Sequence, residues 1–121
     1  MCGDFDDNEQ IDDELFGRLI QLTKHFGVSP QQDAGSGPAH LDTEGARKEH
    51  MEELFKAGLT RSLNDAAGLP NGERMDAVAG QAIVFARLAG FLTAQFPPES
   101  DLFRTVTGAV YDGYSEPESL R

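Results

Sequence analysis

The chain has no tryptophan, one cysteine, and ten Lys and Arg against 21 Asp and Glu in 121 residues. Each shortage excludes something. A lone Cys2 forms no internal disulfide, which fits a reducing cytoplasm, and it reads as an unremarkable thiol on a loose terminus. Nucleic-acid phosphates and anionic membranes are recognised by clustered Lys and Arg, and no such cluster exists, so direct binding to either is not expected. The first residues are acidic rather than basic and apolar, so no signal peptide is expected. No uninterrupted run approaches the roughly 20 apolar residues that span a bilayer. The most apolar stretch, residues 77–92, is broken by Gln81 and Arg87 and reads as a buried helix. No segment of useful length alternates apolar and polar residues as a half-buried strand does, and no internal repeat is found.

Acid is abundant, and it is unevenly placed. The formal net charge is −11, of which Asp4, Asp6, Asp7, Glu9, Asp12, Asp13 and Glu14 supply −7, leaving −4 for the rest of the chain. Read from Asp4, this stretch resembles a calcium-binding loop, with Asp4, Asp6, Asn8 and Asp12 as candidate ligands. It lacks the turn glycine at the sixth place, which is Glu9, and the closing glutamate at the twelfth, which is Leu15. An acidic lead-in to a helix, favoured by the positive end of the helix dipole, explains the same residues.

Four segments carry helical periodicity. Residues 1–9 are expected to be an acidic, disordered lead-in. The first helix covers about 10–26, with Leu15, Leu19, Leu22 and Phe26 on one apolar stripe and Gly27 as a left-handed C-cap. A Pro-, Gly- and Gln-rich segment, 28–42, reads as a long flexible linker. The second helix covers about 43–67, capped by Asp42 or Thr43; Gly58 and Thr60 offer a point at which it would divide in two. Its apolar face is Met51, Leu54, Phe55, Leu59, Leu63 and Ala66. The third, about 72–95, is apolar almost all round and is expected at the centre. The fourth, about 98–114, turns Leu102, Phe103, Val106, Val110 and Tyr114 inward, and 115–121 form a frayed tail. The expected fold is all-α: a single domain over 10–114, a compact bundle of four helices, or five if the second divides.

Chemistry-bearing patterns are few. Glu49, Glu52 and Glu53 surround His50, but the residue three before it is Arg47, so the Glu-x-x-His pair of helical di-iron sites is absent. His50 and His25 lack the Lys and Gly one turn on that a phosphotransfer histidine would use, and His40 falls in the linker. No nucleophile elbow or phosphate-cradling glycine loop is present. Arg74 and Arg87 stand out in an apolar helix; a buried Arg87 would need a carboxylate such as Asp101 or Asp112. The sequence therefore points to no enzyme, no cofactor and no metal beyond the calcium-loop candidate. The leading expectation is an interaction protein, regulatory or adaptor-like, using Leu15, Leu19, Leu22 and Phe26 to dock on a protein partner or on a second copy as a homodimer. The alternatives are a helical small-ligand or metal-binding protein and an acidic mimic that occupies a basic nucleic-acid-binding protein.

Overall fold

A computed structural model describes residues 2–30 and 37–120, with side chains from residue 12 onward. The described residues form helices α1 (Cys2–Lys24), α2 (Glu44–Ala67), α3 (Arg74–Thr93) and α4 (Leu102–Leu120), with a short 3-10 turn at Pro98–Ser100. The expected all-α class with four helices is borne out. The helices fall into two compact units: residues 1–31 with 87–121, and residues 32–86. Helix α3 runs through the point of division.

Helix α1 ends where its sequence says it should. Gly27 is left-handed at φ 73. Its N–H donates to the Lys24 carbonyl at 3.0 Å and the Val28 N–H to the Thr23 carbonyl at 3.1 Å, the paired bonds of a Schellman cap. The helix also begins at Cys2, so its backbone takes in residues 2–9, the stretch expected to be disordered. The centre of the expected linker, residues 31–36, lies outside the described residues.

The Thr43 hydroxyl caps α2, accepting the Ala46 N–H at 3.0 Å. Helix α2 does not divide. It runs unbroken past Gly58, and Thr60, the expected second cap, instead donates its hydroxyl to the Lys56 carbonyl at 2.8 Å. Gly68 closes α2 in a right-handed conformation, φ −79, and Gly72 takes the left-handed turn at φ 95 instead. The Arg74 guanidinium donates to the Leu69 carbonyl at 3.0 Å and satisfies the chain just beyond the helix end. Pro98 lies in the 3-10 turn, and Asp101, left-handed at φ 57, separates that turn from α4. Helix α4 continues to Leu120 through Pro117, past the point where a frayed tail was expected.

The helices carry apolar stripes, and those stripes are mostly uncovered. Ala66, at 8% exposure, is the sole buried hydrophobic residue among those described. On α2, Met51, Leu54, Phe55 and Leu59 are exposed, and Leu63 reaches 68%. On α4, Leu102 and Val106 are half-buried, but Phe103, Val110 and Tyr114 are exposed, so the inward face expected there is only partly formed. The expectation that α3 is a central, buried helix is corrected most clearly: Ile83 is 71% exposed, and Val84, Phe85, Leu88 and Leu92 are also open. Periodicity reports which residues would share a face; it does not report whether the chain has enough other apolar surface to cover that face.

Thr43→Ala removes an acceptor for an otherwise unpaired helix N–H, a change worth about 1 kcal/mol. Amide exchange at residues 44–47 should accelerate and the chemical-denaturation midpoint should fall, while α4 exchange stays unchanged.

Candidate functional site

In the unit built from residues 1–31 and 87–121, the end of α1 packs on the C-terminal part of α3. The Phe26 ring meets the Phe91 ring edge to face, with centroids 5.7 Å apart and planes at 82°. Edge-to-face contact sets the positive rim of one ring against the negative face of the other and adds to the area buried. The Arg87 guanidinium lies over the same Phe26 ring, 5.9 Å from its centroid. Arg87 is exposed, so the carboxylate that a buried Arg87 would need is not required of it. Asp101 pairs with Arg104 at 3.7 Å.

This contact shows where the stripe expected to bind a partner lies. Leu15 and Leu19 are half-buried, Leu22 is just exposed, and Phe26 is engaged by Phe91 and Arg87. Phe26, just beyond the end of α1, touches its own chain yet stays 58% exposed. Asp4, Asp6, Asn8 and Asp12 lie in the first half of α1, where the backbone is helical rather than turned around an ion. The side chains of Asp4, Asp6 and Asn8 are outside the described residues, and that of Asp12 is exposed. Among the described residues, no three His, Cys, Asp or Glu side chains form a group that could hold a metal ion. His40 pairs with Asp42 at 2.7 Å ahead of α2, and His50 is half-buried on α2.

In the other unit, one polar cluster ties α2 to α3. Asp65 Oδ2 accepts from Arg61 Nε at 2.9 Å and from Gln81 Nε2 at 2.9 Å. A carboxylate only accepts, so it fixes the orientation of the Gln81 amide. The amide oxygen, Gln81 Oε1, is then buried with no partner. Sequence reasoning took Gln81 as an interruption in an apolar run. Its cross-helix partner, 16 residues away, left no local signal.

What remains is surface. Met75, Ile83, Val84 and Leu88 on α3, Leu63 on α2 and Phe103 on α4 offer apolar side chains to solvent. Helix α3 is also, among the described residues, the one helix long and apolar enough to cross a membrane, and of its residues Thr93 alone is buried. A search of protein families, of curated proteins and of solved structures finds no match to this chain.

Asp65→Ala deprives Arg61 and Gln81 of their shared acceptor and leaves the Gln81 amide unpaired on both sides. Because Asp65 is partly exposed, the loss should be about 1 kcal/mol of stability, read as a lower urea midpoint. Asp65→Asn, which can still accept from Gln81, should recover part of it.

Proposed function

We propose that this is a small acidic helical protein that acts through protein–protein interaction, regulatory or adaptor-like and non-enzymatic, with its uncovered helix faces as the contact surface. The observation that carries this reading is α3. A helix apolar on nearly every side is stable when surrounded, by a protein core or by lipid, and here Ile83, Val84, Phe85 and Leu88 stand open.

Protein is the better cover than lipid. Arg87 lies about 5 Å along the axis from the middle of α3, at 1.5 Å per residue. A charge that close to a bilayer centre costs about 3 kcal/mol on insertion scales. The net charge of −11 opposes approach to anionic headgroups. Arg87 is also already seated on an aromatic ring of its own chain. The same reading puts the protein in the reducing cytoplasm, which suits a chain with one cysteine.

A photo-crosslinking amino acid placed at Leu63, Ile83 or Phe103 in the native cell tests this. Each should give adducts heavier than the chain that contain protein, whereas the same probe at Asp112 on α4 should not. Adducts to lipid alone, or equal yields at all four positions, would sink the reading.

A further inference from the structure

The turn between α2 and α3 carries chemistry that neither helix does. Pro70, Asn71, Gly72 and Glu73 form it, and the Glu73 N–H closes it by donating to the Pro70 carbonyl at 3.1 Å. Gly72 is left-handed at φ 95, while Asn71 keeps a negative φ. That combination is a type II turn, with Asn at its second place and Gly at its third. Glycine adopts the left-handed conformation without steric cost.

An asparagine side chain holds its amide carbon, Cγ, within reach of the backbone nitrogen of the next residue. Closing that bond gives a five-membered imide. The reaction needs a nitrogen that is not engaged, no side chain crowding it, and freedom to rotate at the asparagine. The Asn71–Gly72 step meets all three. The Gly72 N–H donates to no acceptor among the described residues, because the turn uses the Glu73 N–H instead. Gly72 has no side chain, and a Cβ built on it would meet nothing within 4 Å, so the space around the nitrogen is open. Asn71 and Gly72 are both exposed, so water reaches the ring once it forms. One backbone hydrogen bond closes the turn, a net restraint of only about 1 kcal/mol on rotation at Asn71.

The chain supplies its own comparison. Of its three asparagines, Asn71 alone precedes a glycine. Asn64 is equally exposed but lies inside α2, where the N–H of the following Asp65 belongs to the helical ladder and Asp65 carries a side chain.

We propose that Asn71 is a site of spontaneous covalent modification, deamidating through an imide with Gly72 and leaving isoaspartate in the α2–α3 turn. The Gly72 nitrogen bonds to Asn71 Cγ and gives up its proton. The bond from Cγ to Nδ2 breaks, and the amide nitrogen leaves with that proton as ammonia. Water then opens the imide and is the only co-reactant. Opening at Cγ yields aspartate. Opening at the backbone carbonyl yields isoaspartate, whose chain runs through Cβ and Cγ. Either product adds one negative charge and takes the formal net charge from −11 to −12. Isoaspartate also adds one atom to the loop that the Glu73–Pro70 hydrogen bond closes, and so removes that bond. The turn joins the two helices that the Asp65–Gln81 hydrogen bond ties together, so the change loosens their connected end.

The full chain, held at neutral pH and physiological temperature, tests this. Peptide mapping by mass spectrometry should show the mass gain of one deamidation accumulating at Asn71 many times faster than at Asn64, with isoaspartate the larger product. Ion exchange should separate the same fraction as a more acidic species. That species should be absent from Asn71→Gln, whose longer side chain would have to close a less favourable six-membered ring. In the separated isoaspartate fraction, amide exchange at Glu73 should be faster than in the fresh chain. Equal rates at Asn71 and Asn64, or an acidic species that persists in Asn71→Gln, would overturn the site. Unchanged exchange at Glu73 in the isoaspartate fraction would overturn its effect on the turn.

Discussion

Apolar surface held in water carries a penalty of about 25 cal/mol per Å², and a folded chain escapes it only by covering that surface. Much of the apolar surface of these helices is open among the described residues. Their turns, caps and ion pairs are mainly local: the Schellman bonds at Gly27, the Thr43 cap, the Arg61–Asp65 pair one helical turn apart. Such contacts fix where helices start and stop. They contribute little to holding a helix together against water, since short isolated helices are marginal and gain most of their stability from packing an apolar face. Helix α3, with its open Ile83 and Val84, has the largest such demand.

Two contacts within the chain meet part of it, one in each unit. Phe26 packs on Phe91 and Arg87 in the C-terminal part of α3, and the Asp65–Gln81 hydrogen bond ties the N-terminal half of α3 to α2. Both also leave something over. Arg87 keeps donors that the ring does not use, and Gln81 Oε1 is buried without a partner. A second polypeptide over the outer face of α3 would take up the apolar side chains that these two contacts do not reach.

The fold class was legible in the sequence because helical periodicity and punctuation are local. Gly27 and Thr43 were readable as caps, and both act as caps. The division at Gly58 was not real, because a mid-helix glycine only weakens a helix and the Thr60 hydroxyl finds a carbonyl one turn back. The burial of α3 was misjudged for a different reason. All-round apolarity says that a helix requires cover, and it is silent on whether the cover comes from the same chain. The Phe26–Phe91 and Asp65–Gln81 contacts join residues far apart in sequence, so no window of the sequence contains them.

Amide hydrogen exchange along α3, followed over a dilution series of the full chain, tests the central claim most directly. If a second polypeptide covers α3, exchange from Val78 to Leu88 should be fast in the dilute purified chain and slow at high concentration or once an extract of the native cell is added, while exchange at the Gly27 cap should not change. Protection of Val78 to Leu88 already present in the dilute purified chain, and unchanged by concentration or extract, would contradict it.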